Sequence, residues 1–238
     1  MMQIFIIFHK YIFDDCYENI PHDILYKYFT FIAVNEKIKK EYTPNKYKVI
    51  NEWELPIYDK RFQERGYNEN SSIYHVYVNN LHKDYDYVGF FQYDMVFKDN
   101  IIEGIKNNII DKSVYFPLEL KDFNYCSYET WNEEKTLDFI INDYEKFFNV
   151  IFSKDELYPL LNSYIIPGEK YEKIMKWVIQ LYDKMYPWCK QFPYTQTVRF
   201  SHIGAIYERV MAYAIGQEKM EYKEVNVSHE HFYKSKSY

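Results

Sequence analysis

The sequence predicts an α/β fold in which helices cover both faces of a mostly parallel β-sheet. Short, continuous apolar runs, such as Gln3–Phe8 and Tyr87–Phe91, are typical of strands buried on both faces. Between these runs apolar residues recur at helical spacing, and strands that alternate with helices form parallel sheets. Residues 1–238 are interpreted as one domain, because the sequence contains no repeat and no linker rich in Pro, Gly or Ser.

The composition is that of a globular protein without a positive field. The 238 residues are 47% hydrophobic and 27% charged, which argues against disorder. A formal charge of −6 argues against a nucleic-acid or anionic-membrane binder. The three cysteines are widely spaced and form no C-x-x-C pair, and no apolar run reaches membrane length. We therefore expect a cytoplasmic protein without a transmembrane segment, and the sequence predicts no oligomeric state.

The first half of the chain contains four predicted strands and three predicted helices. Pro21 starts the first helix, and Ser71 is a good N-cap for the second. In the first helix, Ile24, Leu25, Tyr28, Phe31 and Ile32 lie at helical spacing. In chain order the elements are strand Gln3–Phe8, the helix from Pro21, strand Tyr47–Trp53, helix Ser71–Leu81, strand Tyr87–Phe91, helix Ile101–Ile110 and strand Val114–Leu118.

The second half is mostly helical. Residues Trp131–Phe148 follow a helical pattern, and Glu169–Met185 has an amphipathic one. A strand at Leu161–Ile166 lies between them and is ended by Pro167 and Gly168. Helix Ile203–Ile215 and a last strand, Tyr222–Val227, complete the prediction.

Ligands of such sheets bind at the carboxyl ends of the strands, so residues that follow strands are the first candidates for function. His9 and Lys10 directly follow the first strand. There they are candidates to bind the base or the phosphates of a nucleotide. An ordinary polar turn explains them equally well.

A second candidate segment is Gln92-Tyr93-Asp94, which follows the strand Tyr87–Phe91. Nucleotide-sugar glycosyltransferases present an Asp-x-Asp motif at such a place, where a carboxylate holds a divalent cation that bridges the diphosphate. Gln92 replaces the first Asp of that motif. We expect Asp94 to be partly solvated and to share one cleft with His9, although an Asp can also simply end a strand. Gly89 either admits a ligand or is a packing glycine.

Two further groups have both a functional and a structural interpretation. Glu208 lies in an otherwise apolar helix, and burial raises the pKa of a carboxylate, which suits a catalytic base. Alternatively, Glu208 and Arg209 form a structural ion pair. His229 and His231 point the same way in an extended segment and are candidate metal ligands, while a frayed tail is the alternative.

Four segments, taken in order, resemble a family of domains of unknown function described as capsular-polysaccharide glycosyltransferases, with relatives expected in large DNA viruses. The family shows a strand ending in His-Lys, a Tyr-Ile-Gly strand running into His-Tyr-Arg-Arg, an Asn-Met-Phe-Ile segment and a Gly-Phe-x-x-Glu-Arg-Leu helix. The matching stretches here are Ile4–Lys10, Asp86–Tyr93, Leu161–Ile166 and Ile203–Val210. The sequence departs from the family at Gln92–Met95, where the family has His-Tyr-Arg-Arg.

The resemblance implies a GT-A-like, Rossmann-like fold and the transfer of a sugar from a nucleotide sugar, such as a UDP sugar, to a glycan or other hydroxyl acceptor. Because the sequence departs from the family at Gln92–Met95, the site residues are assigned from their places in the predicted fold. We expect the donor nucleotide at His9, Lys10, Gln92, Tyr93 and Arg209. Asp94 would lie at the diphosphate with Mn²⁺ or Mg²⁺, with His229 or His231 as an extra ligand. Glu208 is the candidate base.

Two other classes of function remain open from the sequence. Because Gln92 replaces the first Asp of the motif, the protein could be a catalytically inactive transferase fold that binds a nucleotide sugar or a glycan. The 28 tyrosines also allow a structural protein whose Tyr-rich surface binds a partner. A nucleic-acid enzyme ranks last because of the negative net charge.

Overall fold

The computed structural model describes residues 1–63, 69–97, 103–104, 114–116, 122–123, 134–159, 162–189, 203–224 and 227–229. The strands are β1 Met2–Phe8, β2 Phe29–Ala33, β3 Val49–Asn51, β4 Tyr87–Gln92, β5 Met95–Phe97, β6 Val114–Phe116, β7 Tyr164–Pro167, β8 Tyr222–Glu224 and β9 Val227–His229. The helices are α1 His22–Tyr28, α2 Glu69–Val78, α3 Glu134–Phe148, α4 Gly168–Cys189 and α5 Ile203–Gln217. Short 3-10 turns lie at Asp14–Cys16, Glu52–Glu54 and Lys60–Gln63.

A seven-stranded sheet with the order β3-β2-β1-β4-β7-β6-β8 forms the centre of the described structure. Strand β7 runs antiparallel to β4 and β6, and every other neighbouring pair is parallel. Strands β1 and β4 pair from Met2 opposite Tyr87 to Ile7 opposite Gln92. The prediction of a mostly parallel sheet with these two buried strands at its centre is confirmed. Strands β5 and β9 form a separate antiparallel ribbon.

Helices cover both faces of the sheet, as predicted. Phe5 and Ile7 of β1 face a larger core that contains buried side chains of α2, α3, α4 and α5. The alternate residues Ile4, Ile6 and Phe8 face a smaller core formed with α1, the 3-10 turn at Asp14–Cys16 and β5. Within the described ranges, no helix is both long and apolar enough to cross a membrane.

The largest difference from the sequence prediction is strand β2. The predicted helix does start after Pro21 but ends at Tyr28, and Phe29–Ala33 is a strand. All five residues of β2 are buried and pair in parallel with β1. Continuous burial between two neighbouring strands therefore outweighs the helical spacing of Phe31 and Ile32.

Other boundaries also shift. Strand β3 covers only Val49–Asn51 of the predicted Tyr47–Trp53, and β7 begins at Tyr164 rather than Leu161. Helix α2 begins at Glu69, so the prediction of Ser71 as its N-cap is wrong. The predicted last strand is divided between β8 and β9, which belong to different sheets. The predicted helix Ile101–Ile110 lies outside the described residues, apart from 103 and 104.

Candidate functional site

The carboxyl ends of β1 and β4, called the crevice below, are where a sheet of this topology is expected to bind a ligand. Strands β2 and β3 lie on one side of β1, and β4 lies on its other side. The strand order therefore reverses between β1 and β4. Open α/β sheets bind ligands at such a switch point. His9 follows β1 and Tyr93 follows β4, and their rings lie 6.3 Å apart. The structure therefore brings the His9 and Gln92–Asp94 segments together at one end of the sheet.

His9 contacts two residues to which no sequence pattern pointed. Its Nδ1 lies 2.6 Å from Nδ2 of Asn35, and its Nε2 lies 3.7 Å from a carboxylate oxygen of Glu69. Asn35 follows β2 and Glu69 begins α2, so both lie at the carboxyl end of the sheet. Recognition of β2 as a strand would have made Asn35 a candidate in the same way as His9.

Lys40 connects the ends of β1 and β2. Its ammonium donates hydrogen bonds to the carbonyl oxygens of His9 (2.7 Å), Val34 (2.5 Å), Asn35 (2.7 Å) and Ile38 (3.0 Å). Burial lowers the pKa of Lys40 to about 8, an effect that the charge of Glu52 opposes. The side chain therefore fixes the backbone on which His9 and Asn35 are presented.

Lys10 lies beside the crevice. Its ammonium is 3.9 Å from the carboxylate of Glu41 and 4.5 Å from the centre of the Tyr11 ring. The backbone N–H of Glu41 also donates to the carbonyl oxygen of Lys10, at 2.8 Å. These contacts hold the segment after β1 against residue 41.

Asp94 lies in the tight turn between β4 and β5 and is only 2% exposed, so the expectation of partial solvation is wrong. The turn is covered by the segment after β1: Phe13 stacks on Tyr93 at 5.7 Å, and the Tyr17 hydroxyl donates to the carbonyl oxygen of Tyr93 at 2.9 Å. Burial raises the pKa of Tyr17 well above its usual value, and the nearby Asp94 charge adds to this effect. Gln92 is the half-buried last residue of β4.

The residues predicted to hold a metal are only partly described. The backbone of His229 pairs with Met95, the neighbour of Asp94, while His231 lies outside the described residues. Across the described ranges, no group of three or more His, Cys, Asp or Glu side chains is arranged to hold a metal ion. The described residues therefore do not fit a metal centre built by the protein alone.

Glu208 and Arg209 contact each other through an ion pair, and their side chains are 18% and 6% exposed. Helix α5, which carries them, is joined to the start of α2, because the Asn70 side chain donates to the carbonyl oxygen of Gly204 at 2.9 Å. Asn162, which precedes β7, donates to Asn70 at 3.4 Å. These buried amides place the start of α5 at the same end of the sheet as His9.

A fully buried network holds α2 against the end of β3. Glu52 accepts hydrogen bonds from Ser71 at 2.5 Å and from Nδ1 of His75 at 2.8 Å. Nε2 of His75 accepts from the backbone N–H of Asp59 at 2.9 Å, so the imidazole proton lies on Nδ1. The side chains of Glu52 and His75 have no exposed surface, and the network fixes the position of α2 relative to the sheet.

Gly89 has a packing role. A Cβ atom at this position would lie 3.0 Å from Cγ1 of Ile165 and 3.3 Å from Cγ1 of Ile4. The glycine therefore allows side chains of β1 and β7 to pack over β4, which favours the packing interpretation over ligand approach.

Comparison with known structures identifies the fold. The chain aligns with the bifunctional glycosyltransferase WbbM at a TM-score of 0.57 and 15% identity, covering 95% of this chain and 44% of WbbM. The chain has a GT-A-like glycosyltransferase fold. It spans less than half the length of WbbM, and at this identity the likeness shows the fold alone.

Weaker alignments involve two further transferases. Mouse xyloside xylosyltransferase 1 aligns with a TM-score of 0.38 at 14% identity, over 94% of this chain and 84% of that one. The galactosyltransferase LgtC, in complex with donor and acceptor sugar analogs, aligns with a TM-score of 0.36 at 13% identity, over 96% and 86%. TM-scores below 0.5 do not establish a shared fold. No protein-family model and no curated protein matches the sequence, so the likeness to the capsular-polysaccharide family stays a resemblance.

Proposed function

We propose that this protein is a glycosyltransferase that moves a sugar from a nucleotide-sugar donor to a hydroxyl group of a glycan or another acceptor. The observation that carries the proposal is the group of polar side chains at the switch point between β1 and β4 of a GT-A-like sheet. His9, Lys10, Gln92 and Tyr93 would line the nucleotide site. Catalysis would come from positioning of donor and acceptor and from stabilisation of the leaving diphosphate.

Glu208 is the proposed base, and the ion pair that it forms with Arg209 is the structural contact named as the alternative from the sequence. A neighbouring guanidinium favours the ionised carboxylate, which is the form that accepts a proton from an acceptor hydroxyl. Arg209 would hold Glu208 in place or contact a donor phosphate.

The test is a thermal-shift screen of the full chain with nucleoside diphosphates and nucleotide sugars, followed by a turnover assay for released nucleotide. A ligand at 100 times its dissociation constant stabilises the folded state by about 2.7 kcal/mol, which is readily measured. A transferase shows both binding and turnover. Binding without any turnover, hydrolysis included, would support an inactive binding module. No shift with any nucleotide would favour a partner-binding protein.

The predicted metal needs a separate test, because the described residues provide no complete site. A Mn²⁺ or Mg²⁺ ion would have to share Asp94 with the donor phosphates, which requires the buried Asp94 side chain to become accessible to both. We therefore expect a nucleoside diphosphate to bind more tightly with Mn²⁺ than with a chelator, and we expect Asp94→Asn to remove that difference. The exposed Asp155→Asn variant is the matched control. Equal affinity of the unaltered protein in both conditions, measured by calorimetry, would contradict the metal prediction.

A further inference from the structure

We propose that His9 and Glu69 together bind one hydroxyl group of a sugar ring, either the ribose of the nucleotide or the donor sugar. The pair lies between the end of β1 and the start of α2, and the inference rests on the proposed function. It assigns His9 a hydroxyl rather than a phosphate as its ligand, and it adds Glu69 to the site.

Asn35 sets the proton position on the His9 ring. Its amide nitrogen lies 2.6 Å from Nδ1, and an amide NH₂ group only donates hydrogen bonds. Nδ1 is therefore the acceptor, and the proton of the neutral imidazole lies on Nε2. Lys40 holds the carbonyl oxygens of both His9 and Asn35 at 2.7 Å, which fixes the two backbones relative to each other.

The Nε2–H group faces the carboxylate of Glu69 across a gap. The distance of 3.7 Å is longer than a direct hydrogen bond, and the two side chains are 17% and 16% exposed. One oxygen atom can lie at about 2.8 Å from both groups. A hydroxyl can accept from Nε2–H and donate to the carboxylate at the same time. The gap therefore has the donor and acceptor that a single hydroxyl needs.

A phosphate fits the same gap poorly. An ionised phosphate oxygen has no proton to donate to Glu69, and its negative charge would lie next to a carboxylate. Glu69 also begins a helix of ten residues, where the helix dipole favours its negative charge. A neutral sugar hydroxyl meets neither penalty.

The experiment removes a hydroxyl from the nucleotide and the carboxylate from Glu69 in turn. Binding to the full chain is measured by calorimetry. The probes are UDP, its 2′-deoxy and 3′-deoxy forms and UDP-glucose, together with the corresponding guanine nucleotides and GDP-mannose. If ribose supplies the hydroxyl, the unaltered protein binds the ribose form about five- to tenfold more tightly than one deoxy form. Glu69→Ala removes this preference, and Glu69→Gln reduces it, because its amide oxygen is a neutral and therefore weaker acceptor. If the donor sugar supplies the hydroxyl, the unaltered protein prefers the nucleotide sugar over the nucleoside diphosphate. The Glu69 variants lose that preference instead.

Glu172→Ala is the matched control, because Glu172 pairs with Lys176 on α4. This variant should keep every preference. Unchanged preferences in both Glu69 variants, with nucleotide binding intact, would overturn the hydroxyl site and leave the proposed function standing. Absence of nucleotide binding by the unaltered protein would overturn the proposed function and the hydroxyl site with it.

The proton position is tested independently by ¹⁵N NMR of the histidine rings, with His9 assigned through His9→Gln. We expect the His9 proton on Nε2. Asn35→Asp should place a proton on Nδ1, because a carboxylate only accepts hydrogen bonds. Asn80 has a left-handed backbone (φ 58°), as Asn35 does (φ 61°), and Asn80→Asp should leave His9 unchanged. A proton on Nδ1 of His9 in the unaltered protein would overturn the assignment.

Discussion

His9, His75 and His82 have different roles because their burial and their hydrogen-bond partners differ. His9 lies at the crevice with one ring nitrogen held by Asn35. His75 is fully buried, and both of its ring nitrogens have hydrogen-bond partners. His82 is buried between aromatic rings, 5.2 Å from Tyr77 and 5.1 Å from Tyr171. Of these three, only His9 is a candidate from the sequence, because it alone follows a strand that the apolar pattern identifies.

His82 should make the stability of the protein depend on pH. Burial lowers the pKa of His82 below its ordinary value of 6.5. The unfolded chain therefore takes up the proton first as the pH falls. The contribution of the neutral His82 ring to the free energy of unfolding is fully present above about pH 6.5 and is lost below it. The free energy of unfolding then falls by at most about 1.4 kcal/mol per pH unit. We expect His82→Phe to flatten the pH dependence of the free energy of unfolding between about pH 7 and 5, measured with urea.

The exposed His22→Gln variant is the control for this measurement, since its side chain has no buried environment to lose. The electrostatic neighbours of His82 are Glu172, which favours the charged ring, and Lys83, which opposes it. An identical pH profile for His82→Phe and the unaltered protein would contradict the prediction.

At the scale of elements, the sequence predicts the strands that position the site but not all of their neighbours. Strands β1 and β4 are continuous apolar runs, and the pattern places both within a residue of their observed bounds. Strand β2 was missed because its apolar residues continue the helical spacing of α1. Without β2, the sequence did not indicate that Asn35 follows a strand. With a predicted helix start at Ser71, it did not indicate that Glu69 begins α2. Both depend on contacts between distant segments, which a periodicity does not contain.

The junction of β7 and α4 gives a prediction for an element. A Cβ atom on Gly168 would lie 2.5 Å from the carbonyl oxygen of Tyr85, which is a backbone atom and cannot rotate away. The Gly168 N–H also donates to the carbonyl oxygen of Asp86 at 2.7 Å, so the close approach is fixed. We expect Gly168→Ala to lower the free energy of unfolding by about 1–3 kcal/mol, measured with urea.

Gly104→Ala is the matched control, because an added Cβ there would meet nothing within 4 Å. Gly168 lies at the opposite end of the sheet from the crevice, since Pro167 pairs with Tyr87 at the start of β4. Nucleotide affinity of the folded Gly168→Ala protein should therefore be unchanged. A stability equal to that of the unaltered protein would show that the junction relaxes without cost.

At the scale of the whole molecule, the central strands couple two hydrophobic cores to one site. Each of β1 and β4 presents alternate side chains to the larger and the smaller core, and both end at the crevice. The larger core fixes α2 and α5, while the smaller core fixes the segment after β1 that covers the Tyr93–Asp94 turn. The site geometry therefore depends on both faces of the sheet, and the two cores should not unfold separately.

Leu25→Ala tests this coupling. Leu25 is 2% exposed in the smaller core, and loss of its side chain should cost about 2–5 kcal/mol. Because β1 and β4 belong to both cores, we expect one urea transition with the same midpoint for α1 and for α4. The measurement is hydrogen exchange of peptides from each helix at increasing urea concentration. Tyr26→Ala, at a neighbouring side chain that is 56% exposed, should change stability much less. Exchange of α1 at a urea concentration where α4 stays protected would show that the smaller core unfolds alone, and that the cover of the Tyr93–Asp94 turn opens without loss of the rest of the fold.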